Sequence, residues 1–461
     1  MDNYQSPLVE RYASKQITQL FSNDHKYKTW RRLWVALAKI QQRLGLNITN
    51  KQIDELLDNI NNINYESVNE YEKRFKHDVM AHIYAYGDLC PNAKSIIHLG
   101  ATSSFVVDNT DLIILREAYN IIKNKLLTVI NLLSNFACNY SDLPTVAFTH
   151  FQPAQFTTVG KRACLWIYDL LLDLDDLNDK LMNLRFLGVK GATGTQASFL
   201  ALFDGNEDKV RELDLLVAEE FGFSKTYQVT GQTYSRKIDN QANNVLSGIA
   251  QSAHKFANDI RLLQHLGEIQ EPFEVEQIGS SAMPYKRNPM KCERMTSLAR
   301  FVMSLWTNSA FTAASQWFER TLDDSAGKRI AIPEAFLATD AILKLHSTIV
   351  NGLIIDPDVI NSNVKKQMPL IATENILMEA VKNGGDRQQL HERIRSYFMH
   401  SNSDALEQIM NDPMFKMVNF TDVLNPMNYI GCAKSQVDAF INQEIKLINI
   451  QTDQDIEVVI V

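Results

Sequence analysis

The sequence predicts an all-α protein of three helical domains, whose central domain is a bundle of long helices that assembles with other subunits. A length of 461 residues, at roughly 150 residues per domain, allows about three domains. Long stretches contain neither Gly nor Pro and repeat apolar residues at three- and four-residue steps, which is the pattern of an amphipathic helix. Signals for strands are few, and Ile456–Val461 (IEVVIV) is the clearest of them.

The apolar periodicity places four long helices in the middle of the chain. They are predicted over residues 108–142, 161–187, 239–266 and 290–322. Asn109 and Asp111 supply N-cap chemistry for the first of them, and Pro144 ends it. The apolar stripes are too wide and irregular for a two-stranded coiled coil, so we expect a packed bundle.

The domain boundaries follow from these helices. We place an N-terminal helical domain at 1–108, the central long-helix bundle at 109–355 and a C-terminal helical domain at 356–461. The turn at Asp356-Pro357 marks the second boundary.

Composition excludes several classes of function. Lys and Arg number 46 against 54 Asp and Glu, a net charge of -8, so no domain-wide basic field is available to bind nucleic acid. The five cysteines form no C-x-x-C pair, which favours a reducing compartment. No signal peptide opens the chain, and no run of 18 apolar residues could span a membrane. We therefore expect a cytoplasmic protein that binds neither nucleic acid nor membrane.

The loop 277–294 (QIGSSAMPYKRNPMKCER), called the signature loop below, combines flexible, hydroxyl and cationic residues. Asn288 and Pro289 are predicted as the N-cap and first residue of the next helix. A helix N-terminus with Lys286, Arg287 and Arg294 beside it favours an anion such as a carboxylate. From the residues alone, a basic surface loop explains the pattern equally well.

Three shorter segments contain residues that suit acid–base or binding chemistry. His150, in THFQP before a helix predicted to begin at Pro153, is either a packed or capping residue or an acid–base catalyst. The Lys76–Asp78 segment reads most simply as a solvated helix face, and 99–104 (LGATSS) as a capping turn.

Two further segments suggest phosphate binding. In 318–329 (FERTLDDSAGKR), cations and a serine could hold a phosphate, or the aspartate pair could neutralise those cations. The glycine-rich 188–194 matches neither nucleotide-binding fingerprint, so it is weak evidence. The motifs H-E-x-x-H and G-x-S-x-G and the protein-kinase motifs are all missing from the sequence.

Eight stretches, taken in order, resemble the adenylosuccinate lyase family within the fumarase/aspartase superfamily of elimination enzymes. They are RYAS, KHDVMAH, IHLGATSSFVVDNTD, FTHFQPAQFTTVGKR, GVKGATGTQASF, TGQTYSRK, SSAMPYKRNPM and QWFERTLDDSAGKR. The similarity extends from about residue 8 to about residue 390 and is closest to the animal-type enzymes.

This resemblance implies an activity and an assembly. It implies fumarate-releasing β-elimination from two purine nucleotides, adenylosuccinate (giving AMP) and the succinyl-carboxamide ribotide SAICAR (giving AICAR). It also implies a homotetramer in which each active site collects segments from three subunits, with no metal or organic cofactor.

The resemblance also assigns roles to individual residues. Ser280 would be the catalytic base and His150 the acid, supported by Glu293, Lys286 and His77. The succinyl carboxylates would be bound by Thr102, Ser103, Thr149, Lys286 and Asn288. The phosphate would be bound by Arg11, Tyr12, Arg320, Ser325 and Arg329. Gln232 and Arg294 would position the substrate, and Lys76, His77 and Asp78 would lie beside the nucleotide.

One position departs from the family pattern, because Lys76 stands where Arg is expected. Lys keeps the charge but loses the bidentate guanidinium contact. Two alternatives remain open: another fumarate-releasing lyase such as argininosuccinate lyase, and a non-catalytic structural relative. The cations at Arg11 and 320–329 disfavour the first, and the presence of His150, Ser280 and Lys286 disfavours the second.

Overall fold

The computed structural model describes residues 3–274, 276–400 and 404–448. The strand expected at Ile456–Val461 lies outside these residues. The described chain is predominantly helical, which confirms the predicted fold class.

Among the described residues are eighteen α-helices, four short strands and four short π- or 3-10-helical turns. The helices are α1 (Lys15–Leu20), α2 (Asn23–Arg43), α3 (Asn50–Asp58), α4 (Tyr65–Phe75), α5 (Asp78–Leu89), α6 (Ser103–Asn139), α7 (Val159–Asn183), α8 (Ala197–Leu202), α9 (Glu207–Glu220), α10 (Lys237–His265), α11 (Met290–Ala314), α12 (Asp324–Asn351), α13 (Pro357–Ile371), α14 (Thr373–Lys382), α15 (Arg387–His400), α16 (Ala405–Asn411), α17 (Phe420–Val423) and α18 (Ala433–Phe440). The strands are β1 (Pro144–Thr149), β2 (Gln152–Thr158), β3 (Ile269–Gln270) and β4 (Ile354–Ile355). Both strand pairs, β1 with β2 and β3 with β4, are antiparallel.

Three of the four long helices form close to where the periodicity predicts them, and the fourth prediction is wrong in extent. The helix expected over 290–322 ends at Ala314, and a second long helix starts at Asp324. Between them, Phe318 has a left-handed backbone with φ 45°, a conformation that a continuing right-handed helix excludes. The break lets α11 and α12 pack against each other.

Two apolar cores organise the chain. The larger one is built from α6, α7, α10, α11 and α12, and the helices after residue 356 pack onto it. The second joins α2 and the first part of α6 to residues 186–234. Helix α6 connects the two cores, because its N-terminal part up to Ile113 lies in the second core and the rest, from Ile114, lies in the larger one.

A histidine is buried inside the larger core. The His346 ring stacks on Phe256 with centroids 4.2 Å apart. Neither of its ring nitrogens has a hydrogen-bond partner among the described residues. Burial therefore lowers the pKa of His346 to about 3, since the charged imidazolium would lose its hydration without compensation.

We expect this histidine to make stability depend on pH. The unfolded chain binds a proton at His346 below its ordinary pKa of 6.5, whereas the folded chain does so only below about 3. Stability should therefore fall as pH falls through this window. Between pH 7.5 and 5.5, His346 alone should remove about 1.4 kcal/mol. Urea unfolding of His346→Leu at both pH values should show a smaller loss than the wild type. The exposed His391→Gln is the control, and an unchanged pH dependence in His346→Leu would refute this account.

Candidate active site

A cavity of about 850 Å³ opens where five parts of the chain meet. They are the start of α2, the junction of α4 with α5, the start of α6, the segment before α10 and the start of α12. The cavity gathers half of the residues predicted for the site. Those lining it are Lys76, His77, Asp78, Thr102, Ser103, Gln232, Arg320, Ser325 and Arg329.

The Lys76–Asp78 segment forms a break between two helices, so its interpretation as a solvated helix face is wrong. Lys76 ends α4 in a left-handed conformation, φ 54°. His77 is the N-cap of α5, and its Nδ1 accepts a hydrogen bond from the Met80 N–H at 3.3 Å. This cap directs His77 Nε2 to the Ser103 hydroxyl, 3.3 Å away. The Asp78 carboxylate pairs with Arg329 at 3.1 Å.

The 99–104 segment is a capping turn, as the residues indicated. Thr102 is the N-cap of α6, but its hydroxyl makes no cap hydrogen bond. It is therefore available to a ligand. The hydroxyl of Ser104, two residues after Thr102, donates a hydrogen bond to Gln232 Oε1 at 3.4 Å. This bond connects the start of α6 to the cavity wall.

The glycine-rich segment 188–194 positions Gln232. A Cβ on Gly194 would lie 2.0 Å from the Thr230 carbonyl oxygen, and one on Gly231 would lie 2.4 Å from that of Glu319. Only glycine permits these approaches. Gln232 then donates from Nε2 to the Ala192 carbonyl at 3.2 Å and from its backbone N–H to Glu319 at 2.9 Å. The segment thus serves packing in the described structure.

A buried ion network forms one wall of the cavity. Arg236, almost fully buried, contacts Asp324 through Nε at 2.5 Å and Asp108 through Nη1 at 3.0 Å. Arg320 also pairs with Asp324, at 2.8 Å. The aspartate therefore does partly neutralise the 318–329 cations. Although burial alone would raise it, the pKa of Asp324 is lowered by Arg236 and Arg320.

A second part of the network lies beside it. Lys328 pairs with Asp111 at 2.6 Å and lies 3.9 Å from Asp108. The Tyr234 hydroxyl donates to Asp239 at 2.6 Å. Burial raises the pKa of Asp239 to about 6, against the opposing charges of Lys328 and Arg236. The other carboxylate oxygen of Asp239 has no partner among the described residues.

His150 lies outside this cavity, on the tip of the β1–β2 hairpin. The expectation that a helix begins at Pro153 is wrong, since Pro153 belongs to β2 and the helix starts at Val159. His150 and Phe151 form the two-residue turn with φ of 53° and 56°, as in a type I′ turn. The turn leaves Thr149 and His150 exposed.

Ser280 also lies outside the cavity, in the signature loop. Its hydroxyl oxygen accepts hydrogen bonds from the N–H groups of Ala282 and Met283, at 3.3 and 3.1 Å. Asn288 closes the loop by donating to the Gly279 carbonyl at 2.7 Å. Asn288 is not the helix N-cap as predicted, because Pro289 holds that position and α11 begins at Met290. Lys286 and Glu293 are exposed.

The helix N-terminus predicted to attract a ligand anion is already occupied. The Glu271 carboxylate accepts hydrogen bonds from the N–H groups of Lys291 and Cys292, at 2.9 and 2.8 Å. A helix N-terminus favours an anion, and the N-terminus of α11 does bind one. The anion belongs to the chain itself, so the N–H groups of Lys291 and Cys292 are not available to a ligand.

Arg11, Tyr12 and Arg294 form a fourth location. Leu8–Tyr12 is a single π-helical turn packed against α12. The Arg294 guanidinium lies over the Tyr12 ring, 5.8 Å from its centroid. None of the three lines the cavity. Within one chain, nine predicted residues line the cavity, and the others lie outside it, on the hairpin, in the signature loop up to Arg294 and in Leu8–Tyr12.

Comparison with known proteins decides the family. A family model described as "Lyase" matches residues 9–304, and one described as "Adenylosuccinate lyase C-terminus" matches residues 369–440. Adenylosuccinate lyase of Saccharomyces cerevisiae is 48% identical over 96% of this chain and 95% of its own length. That of Schistosoma mansoni is 44% identical with the same coverage. The chain belongs to the adenylosuccinate lyase family.

The match extends the resemblance seen in the sequence. It reaches beyond residue 390 through most of the C-terminal region. It supports a lyase of this family over an argininosuccinate lyase or a structural relative.

Among solved structures, a 3-carboxy-cis,cis-muconate lactonizing enzyme from Pseudomonas putida matches with a TM-score of 0.84, 21% identity and coverage of 96% of this chain and 99% of that one. A fumarate lyase from Mesorhizobium matches with a TM-score of 0.80, 23% identity and coverage of 96% and 100%. These likenesses show the fold.

Several cavity residues of this adenylosuccinate lyase family member were not predicted from sequence. They include Lys26, Tyr27, Asp108, Asp111, Tyr234, Arg236, Asp239, Asp324 and Lys328. Asp324 and Lys328 stood in the 318–329 segment, whereas nothing in the pattern around Lys26 or Arg236 distinguishes them from other helical residues. In the described part of the chain, no group of three or more His, Cys, Asp or Glu could hold a metal ion, and no helix is long and apolar enough to cross a membrane.

The ion network gives a prediction about stability. Arg236→Met should leave Asp108 and Asp324 facing each other without their shared buried partner. Loss of one member of a buried ion pair typically costs about 3–5 kcal/mol, so the urea midpoint of the variant should fall markedly. Arg211→Met removes an exposed arginine paired with Glu207 and Asp208 and should leave the midpoint unchanged. Equal midpoints for the two variants would show that the network does not stabilise the fold.

Proposed function

We propose that the protein catalyses β-elimination of fumarate from adenylosuccinate, giving AMP, and from the succinyl-carboxamide ribotide SAICAR, giving AICAR. The observation that carries the proposal is the 48% identity to an adenylosuccinate lyase over 96% of the chain. The cavity supports it, because it combines hydroxyl, amide and cationic groups suited to a phosphorylated dicarboxylate. The protein would thus act in purine biosynthesis.

The elimination needs a base for a carbon-bound proton and an acid for the departing nitrogen. Following the family pattern, we assign Ser280 as the base and His150 as the acid, with Glu293 orienting the imidazole. A serine alkoxide requires stabilisation. The N–H groups of Ala282 and Met283 already point at Ser280 Oγ, and Lys286 supplies a nearby charge in the same loop. Such preorganised donors stabilise a developing oxyanion.

The carboxylate beside the carbon that loses its proton gains negative charge in the transition state. We assign its stabilisation to Thr102, Ser103, Thr149, Lys286 and Asn288. The free Thr102 hydroxyl and the Ser103 hydroxyl held by His77 line the same cavity. Gln232 and Arg294 would position the substrate. Arg320, Ser325 and Arg329 would bind the phosphate, joined by Arg11 and Tyr12, and Lys76, His77 and Asp78 would lie beside the nucleotide.

We further propose a homotetramer whose active sites combine segments of different subunits. Within one chain, His150 and Ser280 both lie outside the cavity that nine other predicted residues line, which supports this arrangement. Exposed apolar side chains supply a surface for assembly. On α7, Leu165, Tyr168 and Leu172 recur at helical spacing and are more than half exposed. Trp317 and Phe318, at the α11–α12 connection, are 71% and 100% exposed, which is unusual for a monomer.

The remaining expectations also stand as proposals. The five cysteines are free, which supports a reducing cytoplasmic compartment. We propose that the reaction uses only side-chain and backbone groups, without a metal or organic cofactor. We keep the domain boundaries at 1–108, 109–355 and 356–461.

The decisive experiment is direct. Purified protein mixed with adenylosuccinate should change the ultraviolet spectrum as the purine loses its succinyl group, and fumarate should accumulate in equal amount. SAICAR should give the corresponding amide and fumarate. Argininosuccinate is the control substrate and should remain intact. Absence of spectral change with both purine substrates would overturn the proposal.

Site sharing has its own test. His150→Gln and Ser280→Ala should each lose roughly 10²- to 10⁴-fold in rate, because each removes a proton-transfer group. Mixing the two inactive proteins under subunit exchange should restore part of the activity, since some hybrid sites then receive both intact residues from different chains. Exchange should be verified by mass spectrometry of the assemblies. No recovery despite complete exchange would mean that both residues of a site come from one chain.

A further inference from the structure

The cavity contains a cation that no family assignment above uses. Lys26 lies in the first turn of α2 and lines the cavity together with its neighbour Tyr27. Its side chain is partly buried. The amine lies 5.2 Å from the centroid of the Tyr27 ring and 5.1 Å from that of Trp30. The two aromatic rings hold the ammonium in place by cation–π attraction.

The charged side chains that line the cavity are balanced in number, so its net charge does not attract an anion. Six cationic and six carboxylate side chains line it. Four of the cations are ion-paired within 4.0 Å of a carboxylate: Arg236, Arg320, Lys328 and Arg329. An anionic ligand must compete with those carboxylates or find an unpaired cation.

Lys26 is such a cation. Among the described residues, no carboxylate lies within ion-pairing distance of its amine, and the aromatic rings leave its charge unneutralised. Lys76 is also unpaired, but it is exposed to solvent. The pKa of Lys26 is lowered, mainly by burial and also by the charges of Arg329 and Lys328, against the opposite effect of Asp111. An anion bound beside Lys26 and Arg329 would compensate for the hydration that the Lys26 ammonium has lost and for its repulsion from Arg329.

We propose that Lys26 is a direct binding residue for the phosphate of the nucleotide, acting beside Arg329. The assignment rests on the proposed function, since it deepens the phosphate site given there. The choice of phosphate over the succinyl carboxylates follows from the charges that Lys26 senses. These belong to Arg329 and Lys328 at the start of α12, where the phosphate residues lie, and to Asp78 and Asp111.

The test compares ligands with and without the phosphate. Lys26→Met keeps most of the aliphatic stem over the rings and deletes the charge. Its dissociation constant for AMP, measured by calorimetry, should rise roughly 10- to 150-fold, the range of one charge-assisted hydrogen bond. Adenosine should bind both proteins alike. With adenylosuccinate, KM should rise by a similar factor while kcat changes far less.

Two further variants control for charge and for the helix. Lys26→Arg should recover most of the AMP affinity, because it restores the cation. Lys28→Met, two residues away on the same helix, removes a lysine paired with Asp24 and should bind AMP as the wild type does. Unchanged AMP affinity in a folded Lys26→Met protein, or an equal loss for AMP and adenosine, would overturn the assignment.

Chemical labelling tests the same point in the wild-type protein, independently of whether the variant folds. An amine-acylating reagent should modify Lys26, and AMP should protect it whereas adenosine should not. Modification that AMP leaves unchanged would overturn the assignment. If instead the wild type neither binds AMP nor cleaves adenylosuccinate, the proposed function itself falls, which separates the two failures.

Discussion

The site depends on one buried interaction, the contact of Arg236 with Asp108 and Asp324. These residues come from the segment before α10, from α6 and from the start of α12, so the network joins three of the long helices of the bundle. Taking such charges out of water is costly unless each is paired, and each pairs here. The position of Arg320, which shares Asp324, and of Lys328, beside Asp108, follows from this network. The charged side chains that would contact a substrate are therefore already fixed in position before it binds.

Helix ends hold several binding residues in place while leaving their side chains available to a ligand. His77 and Thr102 both stand at helix N-caps, where the chain changes direction. A cap fixes the backbone at low cost and leaves the side chain near a helix end. Around them, close backbone contacts at Gly194 and Gly231 hold Gln232 in place. The cavity wall is therefore made of chain segments that have little freedom to move, and preorganised groups of this kind favour binding and catalysis.

The number of cationic residues in a segment does not indicate whether that segment can bind an anionic ligand. The signature loop is rich in cations, yet the N-terminus of α11 that follows it is already bound to Glu271. The 318–329 segment also contains several cations, yet Asp324 and Asp111 neutralise two of them. Lys26, in an unremarkable stretch of α2, is unpaired because its amine faces the rings of Tyr27 and Trp30 instead of a carboxylate. Whether a cation is paired therefore depends on which carboxylates the fold brings within reach of it.

The sequence by itself determined the helical class, three of the long helices and the identity of nine residues that line one cavity. The spacing of apolar residues and the order of motifs depend on residues close together in the chain, so both can be recognised in the sequence alone. It did not reveal the hairpin that carries His150, the end of α11 at Ala314 or the network around Arg236. In the hairpin, a two-residue turn with positive φ replaces a helix start. In the network, residues more than 80 positions apart meet. Only the tertiary structure decided these, because a turn conformation and a buried ion pair are selected by the packing of the whole chain and not by the residues beside them.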